Sequence, residues 1–107
     1  MRLIETGTGQ FSLLLHAGTT SVDELIGRLG RTPNGYFWED VAHFLVDTQD
    51  TTLKGRFSYD SEAGMFCAYG EDRAALEALA AMMSAVIADE GRMRLLIEAS
   101  NGSDPDD

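Results

Sequence analysis

The run Asn34-Gly-Tyr-Phe-Trp-Glu-Asp-Val-Ala-His-Phe-Leu-Val46 most constrains how this chain can fold. It holds the only Trp, two of the five Phe, one of the three Tyr and one of the two His. At about 100° per residue, Phe37, Trp38, Val41, Phe44 and Leu45 share one broad apolar arc. Tyr36, Glu39, Asp40, His43 and Asp47 fall opposite. The spacing therefore predicts an amphipathic helix, entered through Asn34-Gly35 and ending around Asp47 to Gln49. Its heavy face anchors a core, and its second face is acidic and carries an aromatic.

Around that helix the chain reads as one domain over residues 1–100. Arg2 to Glu5 and Gln10 to Ala17 are strands joined through Thr6-Gly-Thr-Gly9, a hairpin. The continuously apolar Leu13-Leu-Leu15 suggests cover on both faces of the second strand. Ser21-Val-Asp-Glu24 matches a capping box at the start of a helix carrying Val22, Leu25, Ile26 and Leu29, with Gly30 as its stop. Pro33 separates this helix from the central one. After a polar loop (Thr48 to Thr52), Arg56 to Asp60 alternates polar and aromatic residues. Asp60 to Gly64 is a turn in which Gly64 suits a left-handed residue, and Met65 to Tyr69 is the return strand.

Glu71 and Asp72 are expected in the first turn of a long helix striped by Leu76, Leu79, Ala80, Met83, Val86 and Ile87. Asp89-Glu-Gly91 interrupts it before Arg92 to Ala99, either a separate helix or a kinked continuation. The expected class is α+β, order ββααββα(α). An antiparallel sheet of about four strands, in two hairpins, packs with three to four helices. Residues 101–107 are expected to be an acidic, disordered tail.

Charge limits the partners. Eighteen acidic residues face 8 basic ones, a net charge of -10. Without the three acids of the tail the balance is 15 to 8, or -7. Such a surface repels phosphate backbones, which argues against nucleic acid and favours a basic partner. The single cysteine, Cys67, forms no internal disulfide, which fits a reducing compartment. The first residues do not read as a secretory signal, and no window approaches the ~18 apolar residues of a membrane span. A cytoplasmic protein without membrane contact is expected.

Pro33-Asn-Gly-Tyr-Phe-Trp-Glu-Asp-Val-Ala42 resembles the immunity protein 51 family of bacterial polymorphic toxin systems. The likeness continues at Leu14-Leu-Leu-His-Ala-Gly18, at Gly55-Arg-Phe-Ser-Tyr-Asp60 and at Glu62-Ala-Gly-Met-Phe-Cys-Ala-Tyr-Gly70, and through the alanine-rich helix. Asp40 stands where a glycine is common in that pattern, which makes the exposed face more acidic. The resemblance implies a small α+β protein that protects its producer by binding a cognate toxin domain. It implies no catalysis and no cofactor.

The residues themselves mark two surfaces for such a partner. Tyr36 among Glu39, Asp40, His43 and Asp47 forms a docking face for a cation-rich surface, because tyrosine anchors interfaces and carboxylates pair with Arg or Lys. The plain alternative is a solvated face with one-turn pairing. Asp60 and Glu62, on the second hairpin's turn, are the other contact point. Glu39 and His43 alone do not make a metal site. Cys67, mid-strand without a basic neighbour in sequence, reads as core filler and not as a nucleophile paired with His16 or His43. The rival reading is a small regulatory or ligand-binding module with a pocket between sheet and helices, lined by Tyr36, Trp38 and Tyr69. Oligomeric state is left open.

Overall fold

The computed structural model describes residues 1–102. The elements are β1 (Arg2–Gly7), β2 (Gln10–His16), α1 (Asp23–Arg28), α2 (Gly35–Gln49), one 3-10 turn (Thr51–Leu53), β3 (Ser58–Tyr59), β4 (Met65–Gly70), α3 (Arg73–Ile87) and α4 (Glu90–Gly102). The strands form a single antiparallel sheet in the order β1-β2-β4-β3. The fold is the expected α+β arrangement, with α4 a helix of its own. Helix α4 takes in Asn101 and Gly102, and the remainder of the acidic tail, 103–107, lies outside the described residues.

The sheet has one dry face. Leu13 and Leu15 of β2 and Phe66 and Ala68 of β4 are each no more than 3% exposed. Their register, Leu13 opposite Ala68 and Leu15 opposite Phe66, puts all four on one side. Helices α2 and α3 close that side, and α4 packs on α3 and α1. Leu14 points the other way and stays half-buried, so the apolar Leu13-Leu-Leu15 run is not covered on both faces. Cys67, opposite Leu14, also belongs to that outer face. It is buried there beside Ser12, a small buried hydrophobe as expected, although outside the main core cluster.

Local chemistry sets most helix ends. Asn34 Oδ1 accepts from the Phe37 amide at 2.9 Å and starts α2. Asp72 does the same for α3, accepting from the Ala75 amide at 3.0 Å. Asp72 is therefore the cap itself and Glu71 precedes the helix; neither sits in the first turn as expected. After α1, Gly30 takes a φ of 84°. The amides of Gly30 and Arg31 then turn back to the carbonyls of Gly27 and Ile26, closing the helix.

The expected capping box at Ser21 is not made. Helix α1 begins after Val22 without a side-chain cap, and Thr20 bonds Asp23 instead. Ser21 Oγ donates to the Ile87 carbonyl at 3.1 Å, tying α1 to the end of α3. A tertiary partner has claimed the hydroxyl that the local motif would use. The second hairpin also differs from its reading. Only Ser58 and Tyr59 pair in the ladder; the Arg56 amide donates to the Leu53 carbonyl at 3.1 Å, and its guanidinium pairs with Asp72 at 2.9 Å. Gly64 is not left-handed; the turn closes through reciprocal backbone bonds between Glu62 and Met65.

Candidate functional site

Helix α2 packs Phe37, Trp38, Val41, Ala42, Leu45 and Val46 inward. Trp38 and Ala42 are fully buried, and the Phe37 and Trp38 rings meet edge to face at 5.2 Å. With that side committed to the core, Tyr36, Asp40, His43 and Asp47 face solvent. Tyr36 is 54% exposed, a large ring left outside on a helix that buries its two neighbours.

A glycine fixes the start of this face. The Gly35 amide donates to the Ala63 carbonyl at 2.9 Å. A Cβ on Gly35 would overlap the Glu62 carbonyl oxygen and stand 2.5 Å from that of Met65. Only glycine lets the helix backbone rest directly on the hairpin turn. The turn is also held from the other side, where the Ala17 amide donates to the Gly64 carbonyl at 3.0 Å. Tyr36 and Glu62 are thereby carried by two backbone segments in contact. Asp60, on β3's outward parity, turns instead to the outer face of the sheet, where its charge acts on Cys67.

The sequence-derived residues of α2 divide between the helix's two edges. On the sheet side, His43 Nε2 lies 4.0 Å from Glu39 Oε2, and Asp47 Oδ1 pairs with Lys54 Nζ at 3.2 Å. The His43 ring leans on Tyr59, centroid to centroid 4.5 Å. Burial, and then the charges of Glu39 and Asp47, push the Tyr59 phenol up to about 12. On the other side, Asp40 overlooks a groove of about 360 Å³ toward α4, lined also by Arg31, Phe44 and Leu96. Asp40 is thus the member that leaves the Tyr59 edge.

Tyr59, Phe57 and Lys54 belong to this site although sequence reasoning did not include them. The alternation at Arg56–Asp60 was the available signal that Phe57 and Tyr59 face inward. It carried no information that their rings would stop beside α2. The alternative pocket of Tyr36, Trp38 and Tyr69 is not assembled. Trp38 is in the core, Tyr36 is on the solvent side of α2, and Tyr69 is on the outer face of the sheet beside Ser12 and Gln10.

Among the described residues no group of three or more His, Cys, Asp or Glu is arranged to hold a metal ion. The Cys67 thiol is pushed up by burial and by Asp60, opposite to what a nucleophile requires. Among the described residues no helix is long and apolar enough to cross a membrane.

No curated protein and no solved structure matches this chain. The family described as immunity protein 51 matches it over residues 1–102, from before β1 to the end of α4. A match of that extent spans every element of the fold, and the chain belongs to the immunity protein 51 family.

Proposed function

We propose that this protein neutralises a cognate bacterial toxin domain by direct, non-covalent, one-to-one binding. Family membership across the whole fold carries the reading. The contact runs along the outer side of α2, with Tyr36 as anchor and Glu39, Asp40, His43 and Asp47 around it. Glu62 extends the contact across the hairpin turn, and Asp60 borders it from the sheet's outer face. A ring left exposed among carboxylates suits a basic partner, since it supplies apolar area while the acids pair with Arg or Lys. The mechanism needs no catalysis and no cofactor. It consists of occupying the toxin's working surface, in the cytoplasm of the producing cell.

The excess of acidic residues gives this mode a kinetic character. Opposite charges steer diffusional encounter, so association is fast at low ionic strength and slows as salt screens the field. Co-expression with the product of the adjacent toxin gene tests the proposal. Restored growth and one-to-one co-purification are expected, and toxicity that persists would exclude that pair. Replacing Asp40 and Asp47 by Lys should slow association and flatten its salt dependence. Asp40 faces solvent and Asp47 gives up only an exposed pair with Lys54, so stability should fall by no more than about 1 kcal/mol.

A further inference from the structure

A groove of about 380 Å³ runs between the second half of α2 and the segment leading into β3. Its base is apolar, formed by Val46 and Leu53, both buried. One wall is aromatic. The Tyr59 ring meets Phe57 edge to face, centroids 5.7 Å apart and planes at 85°, and meets His43 at 46°. Asp47 stands at the rim, with Glu39 one turn beyond His43.

A cation already occupies the rim. Lys54 lines the groove and places Nζ 3.2 Å from Asp47 Oδ1. Both side chains are more than half exposed, at 60% and 58%. An exposed pair of this kind contributes little, so another cation can exchange for it. The chain's only lysine thus marks where positive charge sits in this groove.

The walls discriminate between cations. An ammonium is strongly hydrated and acts as a point charge. A guanidinium is planar and weakly hydrated, stacks on rings, and presents a fork of donors to a carboxylate. Aromatic faces beside a carboxylate, over an apolar base, match the second. We propose that this groove receives one arginine side chain of the toxin partner, its guanidinium against Tyr59 and paired with Asp47 in place of Lys54. The identity of the arginine's owner rests on the immunity reading above; the groove's chemistry does not.

The test uses the full chain and a defined probe, Nα-acetyl-arginine methylamide, titrated at low salt and followed by NMR. The lysine and citrulline analogues serve as comparisons. Saturable shifts are expected at Tyr59, Phe57, His43, Asp47 and Lys54. The arginine compound should bind about 2- to 5-fold more tightly than the lysine compound, and citrulline should leave the groove unshifted. Tyr59→Leu should weaken the arginine compound by a similar factor. Lys54→Met, which removes the internal competitor, should tighten it, whereas Arg94→Met, an equal change of net charge on exposed α4, should not.

Shifts spread over the whole acidic surface, equal response to the three compounds, or equal effects of Lys54→Met and Arg94→Met would each overturn the proposal. Growth rescue separates the two claims. Rescue by the wild-type chain without arginine binding removes the groove and keeps the immunity reading. Arginine binding without rescue does the reverse.

Discussion

Helices α2 and α3 are each 15 residues long, begin on an Asn or Asp side-chain cap, and pack side by side against the same sheet. Inward, both are large and apolar: Phe37, Trp38, Val41 and Leu45 on one, Leu76, Leu79, Met83 and Val86 on the other. Outward they diverge. Helix α3 exposes Ala74, Ala81 and Ser84 together with Arg73 and Glu77, and these last two pair with each other at 3.8 Å. Helix α2 exposes Tyr36, Asp40, His43 and Asp47. Small side chains are sufficient for a helix that only covers a sheet. An exposed tyrosine ringed by carboxylates adds nothing to that task, and the proposed function gives this difference between the two outer faces a use.

The comparison breaks most readily at the start of α2. Gly35→Ala should destabilise the fold by about 3 kcal/mol, because the colliding atoms are backbone carbonyls that cannot rotate away. Urea unfolding measures it; a loss below about 0.5 kcal/mol would mean that helix and turn separate easily. Next comes the outer face. Tyr36→Ala should weaken toxin binding by about 2 kcal/mol and leave stability nearly unchanged, whereas Ala81→Arg on α3 should alter neither. Calorimetric titration of the co-purified pair reads both. Equal losses from the two variants would erase the distinction between the helices.

The caps sharpen the comparison further. Asn34→Ala should cost about 1 kcal/mol at every pH, since an amide does not titrate in the working range. Asp72 behaves differently. The Ala75 amide and the Arg56 guanidinium hold its carboxyl below the ordinary value of 3.8. A depressed folded value means that its stabilisation is fully present above 3.8 and is lost as pH falls through the lower value. The difference between wild type and Asp72→Asn should therefore shrink below that pH in unfolding midpoints. Tyr59 sets the alkaline counterpart on the α2 side. Its folded value, raised to about 12, stabilises fully below the ordinary 10.0 and is lost as pH rises toward 12. Tyr59→Phe should flatten the alkaline arm of the pH–stability curve.

The parts of this fold that depend on periodicity were legible in the chain. Helical stripes located the inner faces of α2 and α3, and the alternation at Phe57 and Tyr59 marked them as inward. Competition over distance was not legible. Ser21 has the spacing of a capping box, but its hydroxyl is taken by a carbonyl 66 positions away. Arg56 reads as a strand residue, yet its amide bonds the Leu53 carbonyl and its side chain reaches Asp72, outside the ladder. The candidate site divides in the same way. Tyr36, Glu39, His43 and Asp47 share a face because they share a helix. Tyr59 and Phe57 join them only because β4, pairing with β2, holds β3 beside α2. Glu62 reaches the site through Gly35, whose missing side chain says nothing in sequence about which carbonyls will fill its place.

In the proposed complex, that contact between Gly35 and the hairpin governs how the partner is gripped. Peptide planes, not flexible side chains, set the spacing between the roots of Tyr36 and Glu62. Little backbone freedom remains there to be lost on docking, so affinity is not drained by ordering the loop at the moment of contact. The protein offers its ligand a ruler already cut to length.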